Sequence, residues 1–291
     1  MSTHQFPKTI KMFLMDSDPN GRMTCELSNW TGKAYRIPRG RVKDCVDRNE
    51  LKSTAVYFLF GKADSPTGKP AVYIGEAENF LKRLTQHVDK DFWTEAVCFI
   101  SKDDNLNKAH IKHLESRLYE LAQSANRYSL VNGQRPTCSS ISEADQAEME
   151  EFIEYIRLLI STMGYKLFEP LRSKSSEESS QQTLFKLKGA RGAKAEGERR
   201  PDGFLVLAGA TFTTDTVSSF PNGWVKLRNE MIDTEVVKSE DGKLVLQEDY
   251  LFSSPSAAAA LVMGRSANGL QEWKLNSGKT LKEIESDETK G

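Results

Sequence analysis

The chain is poor in the residues that would place it in several recognisable classes. Four cysteines (Cys25, Cys45, Cys98 and Cys138) are scattered through 291 residues with no close pair. Neither a disulfide framework nor a paired-cysteine zinc site is expected from them. Histidine is as scarce: His110 and His113 sit three apart, but no cysteine lies near them in sequence. No run approaches the ~18 consecutive apolar residues of a membrane-spanning helix. Residues 1–15 also lack the apolar core, about 7–15 residues long, of a secretory leader. A cytoplasmic location away from membranes is expected. Net charge is nearly absent too, since Lys+Arg 40 against Asp+Glu 41 leaves −1. That argues against a generic basic nucleic-acid coat, but a total says nothing about where charges collect.

What is present suits a folded protein of two domains. Hydrophobic residues make up 38% and charged residues 28%, and domains usually run to roughly 100–200 residues each. Short apolar runs at 10–15 and 24–27 flank a turn-rich DSDPNG segment and suggest a hairpin. Lys33, Arg36, Arg39, Arg41 and Lys43 then place five cations in eleven positions without an acid. Runs at 55–60 (AVYFLF), 71–75 (AVYIG) and 95–100 (EAVCFI) read as strands. Helical spacing of apolar residues covers 76–88, 105–124 and an acidic segment at 142–163, with Gly164 as its cap. The SKSSEESSQQ stretch inside 172–182 has no apolar side chain and reads as a flexible linker. Beyond it, 183–187 and 204–208 look like strands joined by a Gly-rich basic loop at 186–200. Ser254-Pro255 announces a helix at 257–263 that Gly264 ends. The expected organisation is an extension at 1–50, a domain at 51–140, an acidic helix at 141–171 packed on it, the linker, and a second, smaller α+β domain at 183–286. The expected class is α+β, with a small antiparallel sheet flanked by helices.

Several residues between 55 and 132 carry potential chemistry. Tyr57 closes the AVY triplet, and Tyr73 opens YIG. Arg83 and His87 lie one helical turn apart, and Glu115 sits at the edge of the apolar stripe of the next helix. Asn132 follows in YSLVNG. Each has an ordinary reading alone: a half-buried strand aromatic, a solvated helix charge, a structural histidine, a turn-forming asparagine. Their order is what stands out.

The ordered set resembles the GIY-YIG endonuclease family, over roughly residues 55–135 and most closely in AVYIGEAENFLKRLTQH. The resemblance implies catalytic roles for Tyr57, Tyr73, Arg83, Glu115 and Asn132, with His87 where some restriction-type members carry a histidine. It implies a Mg²⁺ (or Mn²⁺) ion on Glu115 and Tyr57 as general base, aided by His87 or Lys69. Arg83 would contact the non-bridging phosphate oxygens, Tyr73 would orient water or phosphate, and Asn132 would buttress the site. Two departures are evident: Ala55 stands where the family has its first glycine, and the segment between the tyrosines is long. The expected activity is hydrolysis of phosphodiester bonds in DNA, in defence against foreign DNA or in repair, with RNA left open.

Lys33, Arg36, Arg39, Arg41, Lys43 and Lys69 are candidate phosphate contacts, at about even odds with a solvated face for the 33–43 cluster. From 183 onward, GFLVLAGATF and FSSPSAAAALVMGRSANGLQEW resemble a domain of unknown function often joined to GIY-YIG nucleases, which could engage a protein partner. Two competing functions remain open at this point: a nucleic-acid-binding module without cleavage, and an interaction protein whose acidic helix or C-terminal domain binds a partner.

Overall fold

The computed structural model describes residues 6–62, 69–171 and 184–288. It is a mixed α+β structure with two sheets flanked by helices. Two compact units meet in sequence at Pro170–Leu171. The expected linker at 172–182 lies outside the described residues.

The first unit is built on a seven-stranded sheet, with β1 (Ile10–Leu14), β2 (Met23–Leu27), β3 (Gly32–Pro38), β4 (Ala55–Phe60), β5 (Ala71–Ala77), β6 (Glu95–Ser101) and β7 (Ser129–Leu130). Their order is β1-β2-β3-β6-β4-β5-β7. Every pairing is antiparallel except β5 with β7, so the sheet is larger than expected and not purely antiparallel. The helices are α1 (Phe80–His87), α2 (Lys108–Ala125) and α3 (Glu143–Thr162), begun by Asn79, Asn107 and Ser142, whose side chains accept backbone N–H bonds.

Alternation along the strands sorts side chains onto two faces, each with its own core. Val56, Phe58 and Phe60 of β4 and Val72 and Ile74 of β5 join Ile111, Leu114 and Leu118 of α2 and Phe152, Ile153 and Ile156 of α3. Ala55, Tyr57 and Leu59 turn the other way, to Phe80 and Leu84 of α1 and to Trp93. All six side chains of β4 are buried, which is why its sequence reads as a continuous apolar run.

Three expectations are corrected here. The stretch at 1–50 is no appendage over its described part, because β1–β3 belong to the same sheet. The basic run at 33–43 conceals β3, whose Ala34, Tyr35 and Ile37 are buried between the cations, and a 3-10 helix at Arg39–Cys45. Glu76 belongs to β5 and not to a helix, since α1 begins only at Phe80.

The second unit holds β8 (Leu184–Lys188), β9 (Lys194–Arg200), β10 (Gly203–Val206), β11 (Thr211–Phe212), β12 (Val237–Glu240), β13 (Lys243–Leu246) and β14 (Tyr250–Phe252). The path β12-β13-β11-β9-β10-β14 is antiparallel, and β8 also pairs with β9. The expected loop at 186–200 is therefore mostly ladder, with only 189–193 connecting the strands. Helix α4 (Asn222–Asp233) precedes the helix expected after Ser254, α5 (Pro255–Met263), which is buried from Ala257 to Met263. Two short helices follow, α6 (Gly269–Glu272) and α7 (Leu281–Glu288). Gly264 ends α5 at φ 63°, where a Cβ would stand 2.5 Å from Thr213 Oγ1, so glycine is required on both grounds.

Candidate active site

Two strands and one helix bring four of the expected residues into contact. Tyr57 pairs in register with Gly75, and Leu59 with Tyr73. Both tyrosines therefore point to the α1 side of the sheet, with ring centroids 6.0 Å apart. Gly75 makes the room: a Cβ there would lie 2.6 Å from Cζ and Oη of Tyr57 and from Cε1 of Tyr73. Gly75→Ala is expected to cost about 1–3 kcal/mol through overpacking, read as a lowered melting temperature. An unchanged melt would show that the rings can separate freely. Ala55 faces Ala77 and is fully buried. A small partner explains why its methyl fits.

On α1, Arg83 and His87 project from the same side, four residues apart. The Tyr57 hydroxyl lies 2.9 Å from His87 Nε2, and Arg83 Nε donates to it at 3.4 Å. Tyr57 has no exposed surface, whereas Arg83 is exposed and Tyr73 half-buried. The arginine thus stands between the phenol and solvent. Burial pushes the Tyr57 phenol well above its ordinary value; the neighbouring Tyr73 adds to this and Arg83 opposes it. Burial also lowers His87 to about 4, helped by Lys90 and Arg83. The imidazole is neutral at physiological pH, and its Nδ1 is buried without a hydrogen-bond partner among the described residues.

The C-terminal end of α1 is held from outside the expected set. Trp93 Nε1 donates to the His87 carbonyl at 2.8 Å, and Arg39 Nη2 donates to the Val88 carbonyl at 2.7 Å and to Asp91 at 3.0 Å. A cation on the last carbonyls of a helix satisfies them and complements its dipole. Arg39 therefore frames the site and is not an open phosphate contact.

Glu115 comes from α2 and is half-buried, with no hydrogen bond or ion pair among the described residues. Burial first and Glu76 second raise its pKa to about 7, against the opposing pull of Lys108, Lys112 and Arg83. Glu76 itself is engaged by Lys108, whose Nζ donates to both carboxylate oxygens at 2.8–2.9 Å. Sequence reading missed Glu76, Lys108 and Lys90, which stands 5.7 Å from the Tyr73 ring centre. The only local signal for Glu76 is its position directly after YIG.

Asn132 touches backbone and none of the other candidates. Its Nδ2 donates to Ile74 O at 2.7 Å, and its Oδ1 accepts from Ile74 N at 3.2 Å. With Val131 N on Val72 O at 3.0 Å, this side-chain amide continues the β5–β7 ladder and fixes the strand between Tyr73 and Gly75.

Most of the candidate phosphate contacts are committed elsewhere. Lys69 donates to Asn126 at 2.8 Å. Lys33 pairs with Glu50 at 3.2 Å, Arg36 donates to the carbonyls of Pro19 and Gly21, and Arg41 pairs with Asp44 at 2.9 Å. Lys43 is exposed. Elsewhere, the fold brings Cys138 Sγ within 3.6 Å of His113 Nδ1, a proximity that the sequence hides. Glu150 lies at 3.9 Å from Nε2, on the opposite side of the ring. No cluster of three or more His, Cys, Asp or Glu able to hold a metal exists among the described residues.

A hard divalent cation needs only one or two carboxylates when water and substrate oxygens complete its shell. Glu115, without a hydrogen bond or ion pair among the described residues and with its pKa raised by burial and by Glu76, is a carboxylate that such a charge would relieve.

Compared with known proteins, residues 185–285 match a family described as a domain of unknown function (DUF4357). No curated protein and no solved structure matches the chain. No described helix is long and apolar enough to cross a membrane.

Proposed function

We propose that the first unit is a Mg²⁺-dependent endonuclease of the GIY-YIG type, hydrolysing phosphodiester bonds in DNA. One observation carries the reading: the Tyr57 hydroxyl lies within reach of His87 Nε2 and Arg83 Nε, and the same Arg83 acts electrostatically on the half-buried Glu115, whose pKa burial raises.

Glu115 would hold the Mg²⁺ ion, which when bound supplies a Lewis-acid charge for the scissile phosphate. Arg83 makes a long bond to the neutral Tyr57 hydroxyl and one to the neutral Gln86 side chain, which it can exchange for stronger charge-assisted bonds to phosphate oxygens. That exchange uncovers Tyr57. The phenol is too basic, once ionised, to persist as phenolate in this pocket, so it takes a proton from water as it passes its own to His87. The imidazole is a weak acceptor chiefly because it is buried, and Lys90 and Arg83 depress it further. Phosphate neutralises those cations and so strengthens the acceptor as substrate arrives. Tyr73, half-buried beside them, is placed to orient the water. Asn132 holds Tyr73's strand.

A second reading, a nucleic-acid-binding or partner-binding module without cleavage, is favoured by the complete burial of Tyr57. A panel of single- and double-stranded DNA and RNA, with and without Mg²⁺, tests both against Glu115→Ala. Metal-dependent cleavage by wild type and none by the variant, with binding retained, is expected. Binding without cleavage under any divalent ion would overturn the nuclease in favour of the module. Cleavage unchanged in the variant would overturn the role of Glu115.

A further inference from the structure

The antiparallel β8–β9 ladder sets Lys186 opposite Glu196 and Lys188 opposite Lys194. Directly opposed residues project from the same face of a sheet. On the other side of β8, Lys274 bridges to Lys186 through reciprocal backbone bonds of 2.7 and 2.9 Å. Lys274, Lys186 and Glu196 therefore form one row, and Lys188 and Lys194 the next, with strands ~4.8 Å apart. Arg191 occupies the turn between β8 and β9, exposed and with a left-handed φ of 56°. The opposite face carries Phe185, Leu187 and Ala195, all buried in the core.

Among the described residues, only Lys186 in this group has an acidic partner, Glu196 at 3.2 Å. Lys188, Arg191, Lys194 and Lys274 are exposed and form no ion pair among the described residues. The next cations along β9 differ: Arg199 pairs with Glu285 and Glu288, and Arg200 with Glu198. Two lysines directly opposed in a ladder weaken it, so this arrangement is unfavourable until an anion lies across it.

We propose that this face of the β8–β9 hairpin binds the phosphate backbone of a nucleic acid. The cations stand in rows on a rigid ladder, which suits a polymer with regularly repeated charge. Among the described residues no aromatic side chain stands in these rows, so the grip is on phosphates and is indifferent to sequence. The large apolar side chains exposed among the described residues all lie in the first unit, so this face offers none to insert into a lipid surface. The surface binds whether or not the first unit cleaves.

Fluorescence anisotropy on the full chain, with chelator present to silence metal-dependent cleavage, tests the proposal across a range of salt. The probes are a single-stranded and a double-stranded oligonucleotide and vesicles containing phosphatidylserine. A Lys188→Ser/Arg191→Ser/Lys194→Ser variant is compared with a Lys226→Ser/Lys238→Ser/Lys243→Ser control that loses the same charge elsewhere. Removing three phosphate contacts should make the slope of log affinity against log salt shallower by about two to three, and weaken binding about 100-fold at moderate salt. The control should stay close to wild type. The substituted side chains are exposed, so the melting temperature should not fall. Three results would each overturn the proposal: wild type binding neither oligonucleotide, the hairpin variant binding as the control does, or wild type preferring the vesicles.

Discussion

Glu115→Gln should raise the melting temperature at pH 8 and leave it unchanged at pH 4, while reducing cleavage by at least ~10³-fold, as expected when charge stabilisation at the reacting phosphate is lost. The carboxyl has an ordinary value of 4.5 and a folded value of about 7. Folding therefore disfavours the ionised form. Below pH 4.5 the group is protonated in both states and contributes nothing. Between 4.5 and 7 the folded chain holds a proton that the unfolded chain has released, and a destabilisation grows that is complete above 7. The full shift would correspond to ~3 kcal/mol, but the group is half-exposed, and solvent screening brings it to about 1–2 kcal/mol. Glutamine removes the charge and so the penalty, a gain of ~2–6 °C for a unit of this size. Mg²⁺ should stabilise wild type at pH 8 and not the glutamine variant. Cleavage efficiency should rise with pH through about 7 as Glu115 ionises, and added metal should move that limb to lower pH. Equal melting of the two proteins at pH 8 would mean that another group already compensates the carboxylate.

The parts of the molecule that sequence made legible are those governed by local periodicity. Strands β4, β5 and β6 appear as apolar runs because both faces of the sheet are covered there. The order Tyr57, Tyr73, Arg83, His87 survives folding because one hairpin and the helix after it carry all four. Strand β3 was hidden for the opposite reason. Its buried Ala34, Tyr35 and Ile37 alternate with Lys33 and Arg36, and five cations in eleven positions read more readily as a surface than as a strand. Long-range side-chain hydrogen bonds and ion pairs leave no local signal at all. Arg39 meets Val88 forty-nine residues away, Lys108 meets Glu76 at a separation of thirty-two, and Cys138 reaches His113 at twenty-five. The clustering of cations in sequence therefore overstated the open charge at 33–43, where most members are paired. At 186–200 sequence showed the charge, and the register of a ladder was needed to separate the free cations from the paired ones. The near-neutral total of the chain is compatible with both.

Tyr57→Phe should abolish cleavage to a similar extent and also destabilise the fold, which separates its behaviour from that of Glu115→Gln. The phenylalanine keeps the ring contacts with Tyr73, Phe80 and His87 and loses only the hydroxyl. His87 Nε2 is then left without its 2.9 Å neighbour, beside an Nδ1 that already has none. A buried polar group deprived of its partner costs about 1–3 kcal/mol. Replacing the imidazole as well, in Tyr57→Phe/His87→Phe, removes the stranded polar atoms. The double variant should therefore recover part of the lost stability, giving a coupling energy in a double-mutant cycle, yet remain inactive. His87→Phe alone should lower cleavage by about 10²–10³-fold, the size of a lost proton-transfer partner, because Tyr57 would keep its hydroxyl without a place to send the proton. Additive losses of stability would show that the two side chains do not act as a pair. Full activity in His87→Phe would mean that Tyr57 releases its proton by another route, and Arg83, the other group on its oxygen, would then carry the whole task of lowering the phenol's pKa.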